Sequence, residues 1–502
     1  MQFPRSIHVP SVALASWLVS SSAFAQEAAP ATPAPAPTGT DAGASASASA
    51  SASTTAAPAA STESAAAAPA APAAEPAPAA VAPAAPEEAE KPSLLPFTVN
   101  TSTWSRFEAR ANYDTLGVSR GRFQEGDAFF YRARLGFRTN ALKLADDFTG
   151  LVQFTPQASG KFGLTGTTTE AALGLYEGYV RLATSKFSFE AGRFAMNYGD
   201  ALVIGNLDWS QTGRAFDGVR TRYSLGDAWI DAFATLTAPD GLALAEGHPI
   251  VNEPFLAGDY YFWGVYAGLG ALVKKGMDLD VYLLGNSNVE TAGIPSVAVP
   301  PGPPLTRGGA TELTLGARVK DKLGPIDYRV EAGIQFGTRP LTSAVGGNQT
   351  VFAYQADGEV GYSFTPKLRL ALNGIVASGD DAATPDGEGW HDLYPTGHKF
   401  LGLMDVIGAR TNVGSAVLKL NAGITDSLKA VLDAHIFTRL QDGGLGQVGA
   451  DKLAGYELDG QLIKKWGPGH VRGLYGLFIP NSGHYASNDL AHYVEIEGGL
   501  VF

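Results

Sequence analysis

Hydrophobic and polar residues alternate over most of the chain after residue 94, and the clearest case is the last twelve residues, AHYVEIEGGLVF. Every second position there is apolar or small, and Glu495 and Glu497 fall in between. Successive side chains of a β-strand point to opposite faces, so this segment predicts a strand with one apolar and one charged face. Such a strand fits a membrane barrel with lipid outside and water inside, or the half-buried strand of a soluble sandwich.

The same alternation recurs often enough to predict about 18 strands. In 104–113, for example, Arg106, Glu108 and Arg110 share one face and Phe107 and Ala109 share the other. An even number of strands returns the chain to the side on which the barrel began. The predicted strands are 104–113, 129–139, 148–157, 173–183, 187–194, 214–223, 229–237, 260–272, 278–286, 311–320, 326–337, 351–362, 368–377, 411–421, 428–438, 455–466, 470–479 and 491–502.

The connections between these strands alternate between short and long. The short ones are rich in turn-forming residues and lie at 184–186, 224–227, 321–325, 363–367, 424–427 and 467–469. The long ones lie at 195–213, 238–259, 287–310 and 378–410. Short turns on one side and long loops on the other are typical of bacterial outer-membrane barrels. The sequence therefore predicts an all-β fold, a transmembrane antiparallel β-barrel of about 18 strands with a disordered N-terminal extension.

The N-terminal 93 residues do not follow this pattern. Residues 1–25 have a basic start, an apolar run and an Ala-Phe-Ala end, which predicts a secretory signal peptide. Residues 26–93 are almost entirely Ala, Pro, Ser, Thr and Glu, and with no large apolar side chain to bury they predict a disordered tether. The barrel is then expected over 94–502. The chain contains no cysteine, which excludes a disulfide-stapled fold.

Positive charge is concentrated in the first part of the predicted barrel. Residues 94–223 contain 15 Lys or Arg against 12 Asp or Glu, a net charge of +3, whereas residues 224–502 have a net charge of −11. Alternation places eight arginines on lumen faces, where they avoid the cost of facing lipid. They are Arg106, Arg110, Arg132, Arg134, Arg138, Arg181, Arg220 and Arg222. Two interpretations stay open: a patch that guides anions, and ion pairs with Glu108, Glu177 and Glu190 that brace the wall.

Two stretches resemble signature segments of the alginate export family of outer-membrane porins. They are 190–222, EAGRFAMNYGDALVIGNLDWSQTGRAFDGVRTR, and 378–405, SGDDAATPDGEGWHDLYPTGHKFLGLMD. The resemblance implies an eighteen-stranded barrel that passes a polyanionic exopolysaccharide through a lumen constricted by arginines. The matching positions are Arg193, Arg214 and Arg220 with Asp200, Asp208 and Asp217 in the first segment, and Asp380, Asp381, His398, Lys399 and Asp405 in the second.

Other chemistry finds little support in the residue pattern. The candidates for a catalytic cluster are His391, His398 and His435 with Asp392, Asp405 and Ser378. No serine or carboxylate dyad among them has a spacing that indicates catalysis. Metal binding by His391 and Asp392, or calcium binding by Asp380, Asp381 and Asp386, is the weaker interpretation of carboxylates in solvated loops. The acidic balance argues against nucleic acid as a partner. We expect no enzyme activity, no metal and no cofactor.

The expected function is an outer-membrane channel of a Gram-negative bacterium, with its N-terminal extension in the periplasm. It would pass anionic solutes or an alginate-like exopolysaccharide by diffusion. The alternatives are a general or nutrient-specific porin, and a plugged barrel with a structural or adhesive role. The expected partners are outer-membrane lipid, an anionic polysaccharide or small anionic solute, and a periplasmic protein at the tether.

Overall fold

The computed structural model of the protein describes residues 96–119, 123–163, 170–237, 260–294, 305–343 and 346–502. The predicted signal peptide, the predicted tether and the predicted long connection 238–259 lie outside these ranges.

Eighteen long strands in the described ranges form the barrel, numbered here β1 to β18 in chain order. Those of the first half are Phe97–Ala111, Gly126–Thr139, Phe148–Gly163, Glu170–Ala183, Phe187–Phe194, Phe216–Leu225, Ala228–Thr237, Tyr260–Gly268 and Asp278–Asn288. Those of the second half are Ala310–Leu323, Ile326–Pro340, Asn348–Thr365, Leu368–Ala377, Val413–Gly423, Leu428–Thr438, Leu453–Trp466, Gly469–Pro480 and Ala491–Val501. All eighteen predicted strands are present.

The strands pair antiparallel in chain order and the sheet closes on itself. The last strand, β18, pairs with β1 from Ser102 opposite Val501 to Ala111 opposite His492. Closure gives every barrel strand two hydrogen-bonded neighbours and removes the free edges that an open sheet would expose. The predicted fold class is thereby confirmed.

Side chains alternate between the two faces of this barrel as the sequence pattern requires. In β18, Val494, Ile496 and Leu500 are exposed on the outer face, and Glu495 is 1% exposed on the inner face. Large apolar side chains are exposed on the outer face of many other strands, among them Val330 and Leu418. An apolar outside and a charged inside make burial in lipid favourable and keep the ionised groups in the interior.

The turns at one end of the barrel are tight, and one prediction about this end is wrong. The strand expected over 260–272 ends at Gly268, and a single helical turn, Gly270–Val273, follows. A Cβ on Gly270 would lie 1.9 Å from the carbonyl oxygen of Met277, so this reversal needs a glycine. Among the described residues, no helix has the length and hydropathy to cross a membrane. One short strand, Leu142–Ala145, pairs with the start of β3 in the barrel sheet. Three more, Thr291–Ile294, Leu305–Arg307 and Thr342–Ser343, form a separate small sheet.

Two long connections at the other end fold into the interior of the barrel instead of projecting away from it. We call residues 195–215 loop A and residues 378–412 loop B. Apolar residues of both loops are buried against inward-facing wall residues; Met404 of loop B, for example, shares a cluster with Phe478 of β17. Tyr198 of loop A stacks on Tyr266 of β8, with ring centroids 4.4 Å apart. The barrel therefore has a packed core made of its own loops.

Candidate functional site

Loops A and B join to form one partition inside the barrel. The backbone N–H of Tyr394 donates to the carbonyl of Val203 at 3.0 Å, and the N–H of Gly205 donates to the carbonyl of Tyr394 at 2.7 Å. The indole of Trp209 stacks on the imidazole of His398, with centroids 4.2 Å apart. Backbone pairing and ring stacking between two loops fix their relative position. The two loops therefore act as one unit inside the barrel, and we treat its lining as the candidate site.

Loop A covers two of the arginines of β2, Arg132 and Arg134. Asp208 of the loop approaches Arg132 at 3.1 Å and Arg134 at 2.5 Å. Arg132 also donates to the carbonyls of Asp208 and Ser210, at 2.7 and 2.9 Å. These two of the eight predicted lumen arginines are thus brought together, but with their charge offset by a carboxylate of the loop.

The arginines of β1 belong to a buried network of opposite charges. Arg106 is fully buried, lies 2.7 Å from Glu108 and 3.4 Å from Glu497, and donates to the carbonyl of Trp209 at 2.7 Å. Arg110 approaches the same Glu108 at 2.6 Å. Charges taken out of water in this way need partners and hydrogen bonds to be tolerated. Here the arginines brace the wall and the loop, as the second interpretation of the sequence held.

The arginines of β4 and β6 are also paired. Arg220 hydrogen-bonds Glu190 at 2.5 Å, and Arg181 lies 3.8 Å from the same carboxylate. Arg222 pairs with Asp231 at 2.6 Å. The expectation that Glu177 pairs with an arginine is wrong, because Glu177 accepts the backbone N–H of Ala195 at 3.2 Å and forms no ion pair within the described ranges.

Three predicted path residues differ from the others in position. Arg193 shares the outer face of the wall with the exposed Val219 and pairs with Asp217 at 2.6 Å, so its assignment to the lumen is wrong. Gly192, immediately before Arg193 in the chain, has a positive φ of 127°, a backbone conformation that favours glycine. Arg214 lies in loop A and donates to the carbonyl of Pro395 at 2.9 Å. Arg138 is exposed and forms no ion pair with any residue that the structure describes.

A second basic cluster lies on the opposite wall, where the sequence analysis had expected acidity. Asp200 of loop A approaches Arg318 of β10 at 3.1 Å, Arg329 of β11 at 3.4 Å and Lys320 at 3.5 Å. Burial alone would raise the pKa of Asp200, but these three cations and Lys399 outweigh it and lower the pKa to about 2. Alternation places Arg329 on the lumen face, but the net charge of −11 over residues 224–502 gave no indication of a basic cluster there.

Loop B is held by carboxyl groups of the wall. The backbone N–H groups of Leu403 and Met404 donate to Asp459 and Glu457 of β16, each at 3.0 Å. Gly402 has φ of 83°, and a Cβ there would lie 2.1 Å from Glu457, so the chain passes close to the wall only because this residue is glycine. The sequence pattern does not predict that these two carboxylates bind loop B, because no local signal links them to a loop more than fifty residues away in the chain.

The remaining motif residues serve the shape of loop B. Asp380 accepts the backbone N–H of Glu388 at 2.8 Å, and Asp381 accepts that of Ala383 at 2.9 Å. His398 hydrogen-bonds Asp405 at 2.6 Å. Lys399 is partly buried, and burial together with the nearby Arg329 lowers its pKa to about 8.

The histidines considered for catalysis lie against carboxylates of different elements. His391 contacts Glu312 of β10 at 2.8 Å, and His435 is 3.7 Å from Asp459. Ser378 instead accepts the backbone N–H of Tyr354 at 3.0 Å. Within the described ranges, no group of three His, Asp or Glu side chains is placed to hold a metal ion.

Comparison with protein families gives one match. The model of the alginate export family matches residues 305–446, which contain loop B and the second signature segment but not the first. This match confirms the resemblance to that family. A search of curated proteins found no match.

Solved structures with the same fold are outer-membrane channels. The chain is similar to Pseudomonas aeruginosa OpdK solved with vanillate (11% identity, TM-score 0.54) and to P. aeruginosa OccK2 (OpdF) in complex with glucuronate (10% identity, TM-score 0.54). It is also similar to Acinetobacter baumannii OccAB2 (10% identity, TM-score 0.53). Each similarity covers 81% of this chain and 98% of the other. At such low identity the similarity shows the fold of an outer-membrane porin and leaves the solute open.

Proposed function

We propose that this protein is an outer-membrane channel for small anionic solutes that carry a carboxylate, such as sugar acids. The observation that carries the proposal is the partition of loops A and B, which crosses an interior lined by paired charges. Loop A reaches β1 through Trp209 and β10 through Asp200, and loop B reaches β16 through Leu403. Because the partition contacts strands on several sides of the barrel, the space beside it admits a small solute more readily than a polysaccharide chain.

The arrangement of charge supports passage of an anion without tight binding. Three arginines of the lumen, Arg132, Arg134 and Arg220, each lie within 3.1 Å of a carboxylate. An anion can therefore bind one of them only by displacing the carboxylate that is already paired with it. Exchange of this kind keeps a solute moving, because a site that binds too strongly holds its ion. Two solved neighbours in this fold were determined with carboxylate-bearing compounds, glucuronate and vanillate.

Export of an alginate-like polymer is the second candidate, and the family match at residues 305–446 favours it. A polysaccharide would require loops A and B to separate, which breaks the backbone pairs between Val203 and Tyr394 and the stack of Trp209 on His398. A liposome-swelling assay with mono-, di- and longer uronates separates the two candidates by the size at which permeation stops.

We further propose that the N-terminal extension lies in the periplasm, on the side of the short turns.

The charge of the path can be tested by reversal potentials. We expect the variant with Arg132, Arg134 and Arg220 changed to Ala to shift its reversal potential toward cations in a salt gradient. The physical reason is that Asp208 and Glu190 lose the arginines beside them and leave unbalanced negative charge on the path. Planar-bilayer recording of the purified channel measures the shift.

The matched control is Arg193→Ala. It removes one arginine of the same family motif, but from the outer face, so the reversal potential should stay at the wild-type value. An unchanged reversal potential in the triple variant would contradict a role for these arginines. A wild-type protein that inserts but never conducts would instead favour the plugged structural barrel.

A further inference from the structure

Phe400 of loop B is surrounded by cationic side chains. The Nζ of Lys399 lies 5.0 Å from the ring centroid, and the guanidinium carbons of Arg410 and Arg329 lie 4.9 and 5.8 Å from it. The three come from loop B and from β11, so the group exists only when loop B is folded inside the barrel. Three cations around one ring make a compact positive region beside the partition.

Two carboxylates near this ring are each shared between several cations. Asp357 of β12 is shared by Arg329 at 2.6 Å and Arg410 at 3.1 Å. Asp200 also reaches Arg329, but it is shared with Arg318 and Lys320. Each of these two carboxylates therefore serves at least two cations, and neither forms an ion pair with Lys399.

Lys399 and Arg329 retain donors with no acceptor. Within the part of the chain that the structure describes, the ammonium of Lys399 forms no hydrogen bond and no ion pair. Arg329 is 9% exposed, and its Nη1 is buried without a hydrogen-bond partner. Glu331, on the same strand, accepts the hydroxyl of Tyr282 at 3.2 Å and forms no ion pair with a described residue. A buried guanidinium donor left unsatisfied costs free energy, which an incoming acceptor would recover.

We propose that Lys399 and Arg329, beside Phe400, form a binding site for the carboxylate group of a small organic acid at the partition. An anion there accepts hydrogen bonds from the Lys399 ammonium and the free Nη1 of Arg329, and the ring of Phe400 offers its sugar or aromatic part an apolar surface. The inference rests on the proposed channel function for its biological meaning. The binding itself is a property of the folded protein and can be measured without conduction.

The test is a calorimetric titration of the full chain, purified in detergent, with glucuronate as the probe and glucose as its neutral counterpart. Lys399→Gln should weaken glucuronate binding at least about tenfold, because a charged hydrogen bond is lost. Lys399→Arg should retain most of the affinity. Glucose should bind weakly and equally to every variant.

Lys429→Gln is the matched control. Lys429 faces the lumen from the turn end of β15, opposite Ile463 of β16, and is not one of the cations around Phe400, so its loss should leave glucuronate affinity unchanged. Unchanged affinity in Lys399→Gln, or no glucuronate binding by the wild type, overturns the site. Neither result touches the channel proposal, which rests on separate ion-conductance measurements. Heat-modifiable gel mobility confirms that each variant is folded.

The site should also respond to pH through Lys399. Burial lowers the pKa of Lys399 to about 8; Asp200 partly offsets this, and Arg329, Lys320 and Lys419 reinforce it by repulsion. The ammonium is charged below this pKa and neutral above it. Glucuronate affinity should therefore fall several-fold between about pH 7 and about pH 9. Lys399→Arg keeps its charge over this interval and should bind equally at both values, whereas a wild-type affinity independent of pH would contradict a role for the ammonium.

Discussion

Replacing residues 386–407 of loop B with a Gly-Ser-Gly linker should raise single-channel conductance several-fold, because removal of this segment widens the path for ions through the interior. The deleted segment contains Tyr394, which pairs with loop A, and Leu403 and Met404, which bind the wall. Without them the partition loses its connection to β16 and its contact with loop A. Planar-bilayer recording measures the conductance, and liposome swelling should show a larger size limit for uronates.

A trimmed loop outside the partition provides the control for this deletion. Residues 487–489 lie in the connection between β17 and β18 and are largely exposed, so their removal should leave the conductance near the wild-type value. Heat-modifiable mobility should be retained by both variants, since the barrel closes through β1 and β18 without either segment. Equal conductance of the wild type and the 386–407 variant would show that loop B does not limit the path.

Changing Arg106 to Met should lower the free energy of unfolding by about 3 to 5 kcal/mol, the usual cost of breaking a buried ion pair. Arg106 is fully buried, lies 2.7 Å from Glu108 and donates to the carbonyl of Trp209 at 2.7 Å. Methionine fills a similar length but removes the cation beside Glu108 and Glu497 and the hydrogen bond to the carbonyl of Trp209. Urea unfolding of the refolded barrel, followed by tryptophan fluorescence, measures the loss.

Arg138→Met is the comparison for this substitution. Arg138 lies on neighbouring β2, is exposed and forms no ion pair among the described residues, so the same change should alter the free energy of unfolding by less than about 0.5 kcal/mol. Equal unfolding midpoints for the two variants would mean that the charges around Arg106 contribute nothing to stability.

Much of the barrel could be predicted from local sequence. Three strands, 187–194, 368–377 and 428–438, have the predicted bounds, because alternation and flanking turn residues are both local signals. The end of 260–272 was missed because Gly268 and Gly270 continue an uncharged run, and the reversal depends on close backbone contact with Met277. Arg132 was placed on the lumen face by parity, but its partner Asp208 was not foreseen, since 76 positions separate them in the chain.

The sequence by itself determined the membrane barrel: a period of two in polarity assigns each side chain to lipid or to the interior, and the lengths of the connections assign the two ends. Only the tertiary structure decided what fills that interior. Loops A and B fold inward, and their contacts, such as Asp200 with Arg318 and Leu403 with Asp459, join segments far apart in the chain. Alternation specifies which face a residue occupies. Pairing between distant charges depends on closure of the barrel, and no local sequence pattern indicates which charges will then meet.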